Sequence, residues 1–171
     1  MPQLVALSLS IAVLGGIWAW ICLGTSIGLI VWAGFIAWGC YFHTGGDNKA
    51  LIKTICGNVY GVIIGWIALL IVAKVPIEAL GALWPAIVIG ATVFLLVIVA
   101  SIEQLSVVPA NVYGYAAAAG LGISGNGIAN VTAANMSNPL IGVGISMVIG
   151  AVLGMVSGKV AGALTKKAAA A

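Results

Sequence analysis

The sequence predicts an all-α polytopic membrane protein, a bundle of six transmembrane helices, and three observations carry that prediction. Charged residues fill only 5% of 171 positions while hydrophobic ones fill 63%, against roughly 25% charge in a soluble domain. The mean hydropathy is +1.27. The apolar residues also fall into six stretches separated by short polar breaks. So few charges cannot coat a folded surface in water. Hydrocarbon tolerates an apolar exterior provided that the backbone is bonded internally, as it is in helices.

The first stretch, residues 4–23, follows no Lys or Arg. It therefore lacks the charged start of a cleavable leader and reads as a retained helix. The break Gly24-Thr25-Ser26 separates it from the second stretch, 27–42, which ends in a polar run from His43 to Lys49. The third, 51–73, is closed by Lys74-Val75-Pro76, and the fourth, 83–102, by Glu103-Gln104. The fifth, 109–123, opens on Pro109, which suits the first helical position because its missing N–H needs no partner there. The sixth covers 139–163. A hydrocarbon core about 30 Å thick takes roughly 20 helical residues; the second and fifth stretches are short by that measure. The charge-free run 124–138 reads either as a surface loop or as a re-entrant segment. The whole chain, 1–171, forms one transmembrane domain.

Six spans put both termini on one side. With that side cytoplasmic, Lys49, Lys53, Lys159, Lys166 and Lys167 lie inside and only Lys74 outside, the bias expected of inner-membrane proteins. The net charge of +3 comes without Arg and without a basic run, so nucleic acid is not an expected partner; the lipid bilayer is. Of Trp18 with Trp20, Trp32 with Trp38, and Trp66 with Trp84, some are expected to be interface anchors, since indole joins an apolar body to a polar N–H.

One local feature stands out. Asn58-Val59-Tyr60-Gly61 in the third stretch is repeated as Asn111-Val112-Tyr113-Gly114 in the fifth. Small residues extend both copies: Gly57, Gly61 and Gly65 in one, Ala110, Gly114 and Ala118 in the other. A longer ladder, Gly150, Gly154, Gly158 and Gly162, marks the sixth stretch. Such spacing lets helix backbones approach closely where no hydrophobic effect operates between helices. The ladders serve packing within one chain or between copies, so a homo-oligomer is expected. Read as ancestral, the echo makes the duplicated unit a helical hairpin in parallel orientation, unlike the inverted repeats of many transporters.

Asn58 and Asn111 place amides in apolar spans, where an unsatisfied polar group costs several kcal/mol. On one reading they line a narrow path for a solute together with Tyr60 and Tyr113, with Glu103 as an acidic vestibule. On the other, each Asn bonds a neighbouring helix and the tyrosines pack. No metal site is expected, because His43 stands alone and Cys22, Cys40 and Cys56 lack paired spacing. Asp47, Glu78 and Glu103 lie at span ends, away from the mid-membrane position of a proton relay. No catalytic grouping and no cofactor motif appears, so an enzyme is not expected.

Trp32-Ala33-Gly34-Phe35, Tyr41-Phe42 and the glycine loop ending near Lys49 resemble a bacterial inner-membrane family of unknown function, the YcdZ-like family. Gly15-Gly16-Ile17-Trp18, Val108-Pro109 and Gly114 extend the resemblance over most of the chain. It implies a bacterial inner-membrane location and supplies no catalytic or binding residue. The leading functional expectation is a channel or facilitator for a small polar uncharged solute of the urea, amide or ammonia type. The competing one is a non-catalytic accessory or structural subunit of a larger membrane complex.

Overall fold

The computed structural model describes residues 1–125 and 127–169, the last four of these by backbone alone. Among them no strand occurs, and six α-helices carry the fold: α1 Gln3–Gly24, α2 Val31–His43, α3 Asn48–Lys74, α4 Leu83–Ile98, α5 Val108–Ser124 and α6 Pro139–Ala169. Short 3₁₀ turns follow α3 and α4, the latter at Val99–Ser101 and Glu103–Leu105. Four helical runs are long and apolar enough to cross a membrane: Gln3–Gly24, Asn48–Lys74, Leu83–Ser101 and Pro139–Thr165. The other two fall short. With 13 and 17 residues, α2 and α5 extend about 20 and 25 Å at 1.5 Å per residue, less than a hydrocarbon core about 30 Å thick.

Local chemistry explains the boundaries. Asp47 accepts a hydrogen bond from the Ala50 N–H at 2.6 Å, an N-cap that starts α3 three residues before its apolar stretch. Gly28 takes φ +82° and Ile30 is extended, while the Ile30 N–H donates to Ser146 Oγ at 2.9 Å. The Ile30 carbonyl accepts from the Gly34 N–H at 3.2 Å, so Ile30 caps α2, and the turn at Gly28 keeps 27–29 outside the helix. The run 127–138 forms turns tied by Asn138, whose Nδ2 donates to the Val131 and Ala133 carbonyls and whose Oδ1 accepts from Leu140 N–H. Trp66 Nε1 donates to the Val131 carbonyl at 2.7 Å. That places Val131 about two helical turns below the end of α3, so this segment folds back along the bundle and is not a loose loop.

Two parallel helix pairs organise the interior. α2 and α6 run together: Gly150 lies against the Gly34 backbone and Gly154 against Tyr41 and Trp38, and Trp38 Nε1 donates to Ser157 Oγ at 3.0 Å. α3 and α5 form the second pair. α1 runs antiparallel along α6, its Ser10 Oγ donating to the Ser157 carbonyl at 3.0 Å. The shared core is built of small side chains, Ala33, Ala37, Ala117, Ala118 and Ala151 around Val62, Val143 and Met147. Large apolar groups such as Leu4, Trp20, Leu23, Phe94 and Ile123 are exposed on the outside, as a hydrocarbon environment allows.

The pairing sorts the ends of the bundle. Gln3 and Leu7 of α1, the Gly45–Gly46 turn, and Gly158 and Thr165 of α6 surround one open pocket of about 530 Å³, so the first turns of α1 and the turns of α6 around Thr165 lie at the same end of the bundle. Lys49, Lys53 and Lys159 belong to that end and Lys74 to the opposite one. The side chains of Lys166 and Lys167 lie outside the described residues.

Candidate functional site

The repeated tetrapeptides meet. A Cβ on Gly61 would lie 2.0 Å from the Asn111 carbonyl oxygen, and one on Gly114 would lie 2.0 Å from the Asn58 carbonyl oxygen. Below them Gly57 faces Ala110, and above them Gly65 faces Ala118. The contacts climb both helices in step, so α3 and α5 are parallel, and exchanging them leaves the contact pattern unchanged. Only glycine fits at Gly61 and Gly114, because the opposing groups are backbone and cannot yield. The ladder at Gly57, Gly61, Gly65 and Gly114 is thus an intrachain seam. In α6, Gly150 and Gly154 pack on α2, a Cβ on Gly158 would lie 3.8 Å from the Phe42 ring, and Gly162 has open space beside it.

This seam sets two amides at one depth. Asn111 is fully buried; its Nδ2 donates to the Leu96 and Leu105 carbonyls at 3.3 and 3.0 Å, while its Oδ1 has no partner. Asn58 is 1% exposed, and neither its Oδ1 nor its Nδ2 is hydrogen-bonded. One turn nearer the lysine end, Thr54 is fully buried and donates to Thr44 Oγ1 at 3.3 Å, and Thr44 donates to the Cys40 carbonyl. A line of polar atoms therefore climbs from the α2–α3 turn toward Asn58. Rising about 1.5 Å per residue, Asn58 stands roughly 7 Å beyond Lys53, inside the apolar zone.

A family model described as "protein of unknown function (DUF1097)" matches residues 8–162. The chain belongs to the DUF1097 family. No curated protein and no solved structure matches it. The match to DUF1097 reaches into all six helices and takes in the whole seam, so the buried amides lie within the region the family model describes.

The remaining candidates diverge from this point. Tyr60 Oη donates to the Leu95 carbonyl of α4 at 2.8 Å, whereas Tyr113 packs edge-on against His43 at the end of α2, with ring centroids 6.3 Å apart. The two phenols thus leave the seam on opposite sides. Glu103 is exposed in its 3₁₀ turn beside Lys49 and Lys53. Sequence reasoning passed over Thr54, Thr44 and Ser146; Thr44 and Ser146 donate to carbonyls four residues back, and lone hydroxyls look unremarkable in an apolar stretch. The spacing of Thr54 and Asn58, one turn apart on α3, was the available signal. Cys22, Cys40 and Cys56 are free thiols, and among the described residues no group of three His, Cys, Asp or Glu side chains converges.

Proposed function

We propose that this DUF1097 protein is a channel or facilitator for a small, polar, uncharged solute of the urea, amide or ammonia type. One observation carries the reading: the Asn58 amide is buried in the apolar zone with both donor and acceptor unused. An amide in that state costs several kcal/mol, and the cost is recovered when a solute carrying its own donors and acceptors exchanges hydrogen bonds with it. Asn111 Oδ1 adds a second acceptor at the same depth. Thr44 and Thr54 mark the approach from the lysine end, and Tyr60 and Tyr113 border the seam on either side. Neutral solutes fit, since no Lys, His, Asp or Glu lies within four residues of either amide in the sequence.

On this reading the lysine end faces the cytoplasm of a bacterial inner membrane, because basic residues accumulate on that side. The open face at Gly162 is then available to a second copy in a homo-oligomer. The test is solute-driven swelling of proteoliposomes with urea, ammonium, glycerol and bicarbonate, comparing wild type with Asn58→Leu. Urea or ammonia flux that falls about tenfold in a folded variant supports the channel. Wild-type vesicles no more permeable than empty ones refute it. Stoichiometric copurification with an enzyme supports the accessory-subunit reading instead.

A further inference from the structure

At the lysine end, a groove of about 110 Å³ opens between the first turns of α3 and the 3₁₀ turn after α4, lined by Lys49, Ile52, Lys53, Glu103 and Gln104. Lys49 and Lys53 stand one helical turn apart, roughly 6 Å, which suits two ammonium groups sharing one phosphate. Lys53 Nζ is steadied by Ser106 Oγ at 3.3 Å. Glu103 lies in the same groove, yet among the described residues neither lysine is ion-paired with it. The groove therefore offers positive and negative groups side by side. It also sits at an apolar border, for Ile52 and Ile102 are both about half exposed next to these charges.

The geometry points to a binding site for the phosphoethanolamine head group of a membrane lipid. The lipid phosphate lies between Lys49 and Lys53, its ammonium donates to the Glu103 carboxylate, and its glycerol and acyl chains run over Ile52 and Ile102. Charge complementarity selects this head group. A purely anionic one, such as phosphatidylglycerol, meets the Glu103 carboxylate without a cation to offer. Phosphatidylcholine has the same net charge as phosphatidylethanolamine, but its quaternary ammonium has no N–H to donate, and charge-assisted hydrogen bonds are the strong ones. The site lies outside the amide seam and stands whether or not the seam conducts.

Native mass spectrometry of delipidated protein in a non-ionic detergent tests it, with phosphatidylethanolamine, phosphatidylglycerol and phosphatidylcholine offered at equal concentration. Wild type retains phosphatidylethanolamine about tenfold more than either other lipid, the effect of one charge-assisted hydrogen bond. Glu103→Gln abolishes the preference over phosphatidylglycerol, and Lys49→Ala with Lys53→Ala lowers retention of both. These residues are exposed or half-buried, so the variants keep the fold, which an unchanged melting temperature verifies. Equal retention of the three lipids by wild type, or a preference that survives Glu103→Gln, overturns the proposal. Displacement of bound lipid by soluble glycerophosphoethanolamine at the same concentration also overturns it, since the site would then take the free head group.

Discussion

Asn58 and Asn111 occupy equivalent places in two copies of one motif, at one depth, on helices related by an exchange that leaves their contacts unchanged. Yet Asn111 has its amide protons placed and Asn58 has nothing. Besides the Leu96 carbonyl that α4 offers to Asn111, the cause is where each helix begins. α5 starts at Val108, so Asn111 sits in its first turn and reaches back to the Leu105 carbonyl, which has no helical partner of its own. α3 starts at Asn48, and the residue corresponding to Leu105 is Ile52, whose carbonyl is inside a helix and already accepts from four residues on. The same tetrapeptide thus makes a structural joint in one copy and leaves an open amide in the other.

The largest effect should come from closing the seam. Gly61→Ala and Gly114→Ala each drive a methyl into opposing backbone and should each cost about 3 kcal/mol, read as a lowered melting temperature in detergent. If only one of them destabilises, the exchange symmetry is wrong. Next, Asn111→Leu strands two carbonyls and should cost about 1.5 kcal/mol. Asn58→Leu should do the opposite and gain about 1 kcal/mol, because it removes a buried amide that bonds nothing. Equal destabilisation by both leucines would erase the distinction drawn between the copies. The smallest effect concerns a tie found only beside α5, the 2.9 Å hydrogen bond between Thr92 Oγ1 and Tyr115 Oη. A double-mutant cycle of Thr92→Val and Tyr115→Phe should give a coupling of about 0.6 kcal/mol.

Much of this fold was legible in the sequence. Hydropathy located all six helices, and the stretches 4–23, 83–102 and 109–123 fall close to α1, α4 with its 3₁₀ turn, and α5. Where it failed, the reason was a hydrogen bond that hydropathy does not register. Residues 27–30 are as apolar as a helix, yet Gly28 at positive φ and the Ile30 bond to Ser146 hold them outside α2. Residues 99–101 continue the apolar run but tighten into a 3₁₀ turn. The spacing of small residues at every fourth position marked surfaces for close backbone approach, but left packing within one chain or between copies open. The unequal state of the two amides was not visible, because it depends on a carbonyl six residues upstream and on which helix that carbonyl belongs to.

The delayed start of α2 has an electrostatic consequence. Its first residue, Val31, lies level with Ser146, seven residues inside α6, so the positive pole of α2 is set about 10 Å inward from the start of its partner. A helix terminus of this kind carries roughly half a unit charge, and the surrounding apolar side chains screen it far less than water would. On the proposed channel reading, a cation arriving from that end would meet repulsion before it reached the seam, while a neutral molecule with a strong dipole would be drawn in and turned negative end first.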